Sequence, residues 1–235
     1  EAVDVIPQKA AAKQDIRPLR LLLLNLMPKK KDTEIQFARL FGNTPLQVEM
    51  ILMTTASYTP RNTEPGYLRR FYRQLDDVRD DYFDALIITG APIETLPFED
   101  VTYWQELTEI MEWSRTHCFR RLGICWGAQA LLSYFHNVPK HEMSQKLFGI
   151  YTLKLKDLSG RLMNGFTDEF PMPVSRYTEN KPDELRNAGL DILAEGEDCG
   201  VAMVRDPASG DLFVLNHLEY DATTLAEEYA RDVNE

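Results

Sequence analysis

The first two-thirds of the chain alternate between short apolar runs and segments with helical spacing. The apolar runs predict strands at residues 19–27, 46–54, 83–90 and 118–125. The segments between them predict helices at residues 32–42, 65–78, 101–117 and 127–135. Strands that are almost continuously apolar and alternate with helices favour a parallel sheet covered on both faces.

The pattern changes after residue 150. Alternating segments and the turn signal at 206–211 favour antiparallel strands, and residues 222–233 predict a closing helix. We find no repeat, low-complexity tract or linker. The predicted fold class is therefore α/β, a three-layer, mostly parallel sheet with antiparallel strands in its C-terminal part. We predict an N-terminal arm at residues 1–16 and a single domain at 17–235.

Composition and charge exclude several classes of function. The chain has 235 residues, is 44% hydrophobic and carries a formal charge of -11, so it can bury a core but presents no positive field for nucleic acid or an anionic membrane. The longest apolar run, 21–27, is too short to span a bilayer, and the polar N-terminus shows no secretory signal. Three cysteines without ligand spacing indicate a reduced cytoplasmic protein and no metal site.

Cys125 falls at a predicted strand-to-helix junction, where ligands bind in open α/β sheets. The small neighbours Gly123, Gly127 and Ala128 permit a sharp elbow that lifts a nucleophile clear of the sheet. The N-terminus of the following helix would lower the thiol pKa and stabilise an oxyanion. The alternative is that Cys125 is a small buried apolar residue.

A base for this thiol is available further along the chain. His217 follows the apolar stretch 212–216 and stands two residues before Glu219. If His217 ends a strand, both side chains project to the same side, and the carboxylate can orient the imidazole. Cysteine, histidine and glutamate together suit acyl transfer through a thioester. The alternative is a histidine and a glutamate that merely face solvent.

Several segments in order along residues 17–233 resemble one family, the homoserine O-succinyltransferases of the class I glutamine-amidotransferase-like (flavodoxin-like) superfamily. They are "RPLRLLLLNLMPKKKDTEIQFARLFGNTPLQV", "DALIITGAPIETLPFEDVTYW", "ICWGAQALL", "KLFGIY", "SRY" and "HLEYDATTLAEEYARDV". The resemblance implies a cytoplasmic acyltransferase of amino-acid biosynthesis that forms homodimers. It implies small-molecule substrates and no bound cofactor, since acyl-coenzyme A is a substrate.

The resemblance also implies roles for individual residues. Cys125 would be the nucleophile, His217 the general base and Glu219 its partner, with backbone donors at Trp126 and Gly90 forming the oxyanion hole. The substrate-binding residues would be Lys30 beside the acyl group, Arg231 at the amino-acid carboxylate, and Ser175, Arg176 and Glu94.

The residue at position 94 indicates which acyl-coenzyme A is the donor. In the family, glycine at this position goes with succinyl transfer and glutamate with acetyl transfer. A carboxylate in the acyl pocket would fill it and repel the succinyl carboxylate, at a cost on the order of a few kcal/mol. We therefore expect acetyl-coenzyme A as the donor.

The chain departs from the family pattern at Leu153, Val174, Asn216 and Leu218. These departures are expected near the acceptor. L-homoserine O-acetyltransferase, in methionine biosynthesis, is the first expectation, and L-serine O-acetyltransferase, in cysteine biosynthesis, is the alternative. The further alternatives, in order, are a homoserine O-succinyltransferase, a glutamine amidotransferase and a non-enzymatic binding protein of the same fold.

Overall fold

The computed structural model describes residues 5–7, 16–58, 63–156 and 161–234. Its strands are β1 Leu19–Leu24, β2 Val48–Met53, β3 Tyr72–Arg73, β4 Phe83–Ile88, β5 Cys118–Ile124, β6 His141–Leu155, β7 Glu169–Glu179, β8 Asp191–Gly196, β9 Gly200–Arg205 and β10 Leu212–Val214. Its helices are α1 Lys30–Gly42, α2 Pro65–Phe71, α3 Leu75–Val78, α4 Trp104–His117, α5 Trp126–His136, α6 Pro182–Asn187 and α7 Thr224–Asn234. Short 3-10 turns lie at Phe98–Asp100 and Arg161–Met163.

The first of two compact units is drawn from residues 1–89 and 102–121. Its sheet runs in the order β3-β2-β1-β4, and the pairings of β1 with β2 and β4, and of β2 with β3, are parallel. Leu22, Leu23 and Leu24 on the central strand are fully buried. An interior parallel strand is covered on both faces, which explains why this segment shows no alternation.

The helix predicted at 65–78 is wrong in its middle. The chain leaves α2 at Phe71, and Tyr72 pairs with Leu52 of β2 before α3 begins. The Tyr72 hydroxyl donates to Glu34 at 2.5 Å and accepts from the Asn25 amide at 2.9 Å. These buried polar contacts, together with the strand pairing, outweigh local helix propensity.

The second unit comprises residues 90–101 and 122–235. Its strand order is β5-β10-β9-β8-β6-β7, in which β10 is parallel to β5 and the remaining pairs are antiparallel. The antiparallel C-terminal part is confirmed, but it starts earlier than predicted. His141, expected in a polar loop, opens β6 opposite Glu179, and its Nε2 lies 2.8 Å from Glu184.

The mostly parallel sheet flanked by helices agrees with the predicted fold class. The two units are compact individually. The single domain at 17–235 stays a prediction, and most of the predicted arm at 1–16 lies outside the described residues. Within the described residues, no helix is long and apolar enough to cross a membrane.

The junction between β5 and α5 is built around Gly123. A Cβ atom at this residue would lie 2.5 Å from Ala128 Cα and 2.7 Å from Ala128 N. Real Cβ contacts are longer than this, and the opposing atoms are backbone atoms that cannot rotate away. The close approach of strand and helix therefore requires glycine.

Gly123→Ala is expected to lower the free energy of unfolding by about 1–3 kcal/mol, because the new methyl group must push the first turn of α5 away from β5. Urea denaturation followed by circular dichroism measures the change. Gly66→Ala is the matched control: no atom lies within 4 Å of its added Cβ, and the change is expected to be neutral or stabilising by up to about 1 kcal/mol. Equal effects at the two positions would contradict the packing argument.

Candidate active site

Cys125 has a backbone conformation that is rare for a residue with a side chain. Its φ is 49° and its ψ is -115°, between the end of β5 and the first residue of α5. The amide N–H donates to Val214 O at 2.7 Å, and the carbonyl accepts from Gln129 N at 3.2 Å. Such strain costs on the order of 1–3 kcal/mol and persists where the surrounding structure enforces it. An ordinary buried cysteine would not need it.

Three chemically reactive side chains meet at this elbow. His217 Nδ1 lies 2.9 Å from Glu219 Oε1, and both side chains are almost fully buried. The imidazole also forms a hydrogen bond with Cys125, which is itself 4% exposed. Because the Glu219 carboxylate accepts a hydrogen bond from Nδ1–H, the neutral tautomer that leaves Nε2 unprotonated is favoured.

The charges in this group favour a protonated imidazole. Burial alone would lower the pKa of His217, but the negative charges of ionised Cys125 and of Glu219, with their hydrogen bonds, raise the pKa of His217 well above its ordinary value. A protonated imidazole beside Cys125 favours ionisation of the sulfur when it reacts, through charge and hydrogen bonding. The group therefore places a nucleophile and a proton donor side by side.

Tyr220 holds the imidazole from its face. The two rings are stacked, with centroids 4.0 Å apart and an interplanar angle of 22°. The Tyr220 hydroxyl donates to Glu228 Oε1 on α7 at 2.6 Å. Sequence reasoning missed this role, although Tyr220 belongs to the "HLEYD" segment that carries His217.

The loop that follows β4 brings Gly90 and Glu94 into the second unit. Gly90 is buried. The burial of the Glu94 carboxylate raises the pKa of Glu94, while the charges of His217 and Lys146 lower this pKa in part. The Glu94 carboxylate therefore lies within electrostatic range of the imidazole. Its predicted place in the acyl pocket stays a prediction.

Lys146 was missed by sequence reasoning. Its Nζ lies 2.5 Å from Asp232 Oδ2, and its charge also acts on Glu94. Arg231 donates to Asp232 Oδ1 from Nε at 2.9 Å and from Nη2 at 2.7 Å, and its side chain is about half exposed. Two cations thus share one carboxylate on α7, and the predicted contact of Arg231 with the amino-acid carboxylate stays a prediction.

Ser175 and Arg176 lie beneath the nucleophile. The carbonyl oxygen of Ser175 is 3.9 Å from Cys125 Sγ. Arg176 is 2% exposed, and its Nη2 donates to the carbonyls of Cys199 at 2.6 Å and Val201 at 3.3 Å. Burial lowers the pKa of Arg176, and Cys125 is the largest opposing influence. The positive charge of Arg176 therefore lies within electrostatic range of Cys125, and its predicted contact with substrate stays a prediction.

Trp126 is the first residue of α5, where the backbone N–H groups of a helix point out from its N-terminus. Its ring packs on Phe98 with centroids 5.7 Å apart. An oxyanion on a group attached to Cys125 would face this helix end. The partnership of Trp126 with Gly90 in an oxyanion hole stays a prediction.

Lys30 belongs to the first unit, at the start of α1. It is 3% exposed, donates from Nζ to Asn25 O at 2.5 Å, and lies over the Tyr72 ring. Burial lowers the pKa of Lys30 to about 8, with Glu34 opposing the shift. Its predicted place beside the acyl group stays a prediction.

No group of three or more histidine, cysteine, aspartate or glutamate side chains suited to a metal ion occurs in the part of the chain that the structure describes.

Known proteins resemble this chain over its full length. Residues 1–235 match the family model for homoserine O-succinyltransferase. Homoserine O-acetyltransferase of Allorhizobium ampelinum is 46% identical over 235 residues, covering 100% of this chain and 76% of that protein. The proteins of the same name from Ruegeria sp. and Clostridium beijerinckii are 49% and 48% identical, each covering 99% of this chain and 75% and 77% of their own lengths.

Solved structures share the fold at low identity. A glutamine amidotransferase from Thermotoga maritima has a TM-score of 0.64 and 12% identity, covering 93% of this chain and 85% of that one. A glutamine amidotransferase from Methylobacillus flagellatus has a TM-score of 0.59 and 13% identity, covering 93% of this chain and 76% of that one. These similarities confirm the class I glutamine-amidotransferase-like fold and show the fold alone.

The pH dependence of alkylation tests the charge state of the site. At about pH 6, iodoacetamide is expected to modify Cys125 faster in the wild type than in His217→Asn, because the raised pKa of His217 keeps a proton on the imidazole beside the sulfur. In His217→Asn the rate at about pH 6 is expected to fall by tenfold or more, since an unassisted thiol has a pKa of about 8.5. Mass spectrometry of the labelled peptide measures both rates.

Cys118→Ser is the matched control and should keep the wild-type profile. Equal rates in the wild type and His217→Asn at about pH 6 would contradict the assistance that His217 gives to the sulfur.

Proposed function

The chain belongs to the homoserine O-succinyltransferase family, and from this membership and the site geometry we propose that it transfers an acetyl group from acetyl-coenzyme A to the side-chain hydroxyl of L-homoserine. The observation that carries the proposal is the strained Cys125 in hydrogen-bond contact with the buried His217–Glu219 pair. A nucleophile, a base and a residue that orients the base are the groups that a thioester mechanism needs.

The first half-reaction forms an acetyl-enzyme. The Cys125 thiolate attacks the thioester carbonyl carbon, and the oxyanion that forms faces the N-terminus of α5. Collapse of this intermediate breaks the bond between the acetyl carbon and the coenzyme A sulfur. Protonated His217 gives its proton to the departing coenzyme A thiolate, which leaves the imidazole neutral.

The second half-reaction uses the neutral imidazole as a base. His217 takes the proton of the acceptor hydroxyl while the hydroxyl oxygen attacks the acetyl carbon on Cys125. The carbon–Sγ bond breaks, the O-acetyl amino acid forms, and the thiolate and protonated imidazole return together. Glu219 stabilises the imidazolium in both halves through its contact with Nδ1.

Glu94 supports acetyl over succinyl as the transferred group. Its carboxylate is partly buried and within electrostatic range of His217. A succinyl chain extending from Cys125 would bring a second carboxylate into the same space, and two like charges a few ångströms apart repel by about 1–4 kcal/mol. The names of the curated relatives agree with acetyl transfer.

The names of the curated relatives support homoserine as the acceptor, and three of the four departures from the family pattern are buried. Leu153, Val174 and Asn216 are all 0% exposed. Leu153 packs near the Cβ position of Gly196, and Asn216 lies close enough to the Cys199 thiol to lower its pKa in part. These two residues therefore lie near the turn around Cys199, where their side chains take part in packing of the second unit.

The remaining elements of the proposal are a place in methionine biosynthesis, a cytoplasmic location and a homodimeric state. Each follows from the family resemblance. Size-exclusion chromatography with light scattering distinguishes a dimer from a monomer.

Release of coenzyme A tests the proposed reaction. Acetyl- and succinyl-coenzyme A are each combined with L-homoserine or L-serine, and Cys125→Ser serves as the inactive control. The highest kcat/KM is expected for acetyl-coenzyme A with homoserine. Turnover that requires serine would redirect the proposal to cysteine biosynthesis, and glutaminase activity without acyl transfer would replace it.

Replacement of Glu94 tests donor choice. Glu94→Gly is expected to raise kcat/KM for succinyl-coenzyme A by about tenfold or more, because about 1.4 kcal/mol of repulsion corresponds to a factor of ten. Glu99→Gly, at an exposed carboxylate on the adjoining 3-10 turn, should leave donor choice unchanged. An unchanged ratio of the two donors in Glu94→Gly would show that Glu94 does not select the acyl group.

A further inference from the structure

Lys140 sits immediately before β6 and reaches back to the loop that carries Glu94. Its Nζ donates to the Leu96 carbonyl at 2.6 Å and to the Glu94 carbonyl. One ammonium group therefore binds two backbone oxygens of a single three-residue segment, 94–96. Hydrogen bonds from a charged donor are about twice as strong as neutral ones, so this contact fixes the path of the loop.

The backbone hydrogen bonds that the structure describes within this loop are local. Ile93 N donates to Ala91 O at 2.8 Å, and Leu96 N donates to Ile93 O at 3.1 Å. Such bonds shape a turn but do not attach it to the rest of the unit. Lys140 supplies an attachment to a residue more than forty positions away in sequence.

The same ammonium also links the loop to the elbow. Nζ lies 4.8 Å from the centroid of the Phe98 ring, and Phe98 packs on Trp126, the residue after Cys125. The half-buried position of Lys140 lowers its pKa, while Glu94, Glu142 and Glu99 oppose that shift. Lys140 therefore stands between the donor-selecting loop and the nucleophile.

Partial burial of the Glu94 carboxylate is unfavourable in itself, as the raised pKa of Glu94 shows. Movement of the 94–96 segment would relieve this cost by taking the carboxylate into water. Some contact must oppose that movement if Glu94 is to stay beside the acyl group. The two carbonyl contacts of Lys140 act on the backbone of Glu94 itself and on Leu96.

We propose that Lys140 is a positioning residue for donor selection: by binding the carbonyls of Glu94 and Leu96 it holds the Glu94 carboxylate in the acyl pocket. This inference rests on the proposed acetyltransferase function. Lys140 acts through Glu94 and does not touch the reacting atoms.

The test is a double-mutant cycle between Lys140→Met and Glu94→Gly, read as the ratio of kcat/KM for acetyl- and succinyl-coenzyme A. Lys140→Met is expected to lower this ratio by about tenfold, the effect of 1.4 kcal/mol. In the Glu94→Gly background it should change the ratio by less than about twofold, because the carboxylate through which Lys140 acts is absent. Lys140→Arg, which keeps charged donors, should restore part of the selectivity.

Two further readouts separate positioning from general damage. The KM for homoserine and the iodoacetamide alkylation rate of Cys125 should stay near wild type in Lys140→Met. Lys154→Met, at an exposed lysine 3.7 Å from Glu169, is the matched control and should leave all values unchanged. Thermal melting verifies folding, and Lys140→Gln carries the same cycle if Lys140→Met does not fold.

A donor ratio that is unchanged in Lys140→Met, or lowered equally with and without Glu94, would overturn the inference. A wild-type enzyme that does not transfer acetyl groups at all would instead overturn the proposed function, so the two failures are distinguishable.

Discussion

The site depends on the strained backbone of Cys125. A residue with φ of 49° between a buried strand and a helix is held there only because its neighbours leave no other path. Gly123 lets α5 approach β5, Val214 accepts the Cys125 N–H, and Gln129 donates to its carbonyl. The strain places the sulfur and the N-terminus of α5 on the same side of the chain, where one attacks a carbonyl and the other stabilises the resulting oxyanion.

The second constraint is the burial of charge. Lone charges in a protein interior are costly, so His217 is paired with Glu219, and Arg176 with the carbonyls of Cys199 and Val201. Glu94 differs from these groups, because burial of its carboxylate is only partly offset by nearby positive charge. A partly buried carboxylate at Glu94 fits a role in excluding the succinyl carboxylate. The cost of its burial also explains why the loop needs the attachment that Lys140 provides.

Local sequence patterns predicted the elements that matter most for the site. The apolar run before Cys125 and the small residues after it indicate the elbow, since few other arrangements need them, and the spacing of His217 and Glu219 indicates a shared face. The structure places these residues together as that spacing requires. The helix predicted at 65–78 failed because pairing of Tyr72 with β2 is a long-range contact that no local pattern encodes.

The supporting residues could not be found from the sequence for the same reason. Lys140 and Lys146 are ordinary lysines in a polar stretch, and their importance arises only when the fold brings them to residues about 45 or more positions away. Arg176, whose contact with substrate stays a prediction, lies in β7 opposite Leu147 and is 2% exposed, a burial that the sequence alone does not show. Family resemblance identifies positions, whereas the direction of each side chain comes from the fold.

In the proposed mechanism Cys125 carries the acetyl group between donor and acceptor. The most direct measurement is intact-protein and peptide mass spectrometry after mixing the protein with acetyl-coenzyme A in the absence of acceptor. We predict one acetyl group on the Cys125 peptide, lost on addition of homoserine and absent in Cys125→Ser. Acetyl transfer to homoserine that proceeds at full rate in Cys125→Ser, with no labelled cysteine in the wild type, would contradict this mechanism.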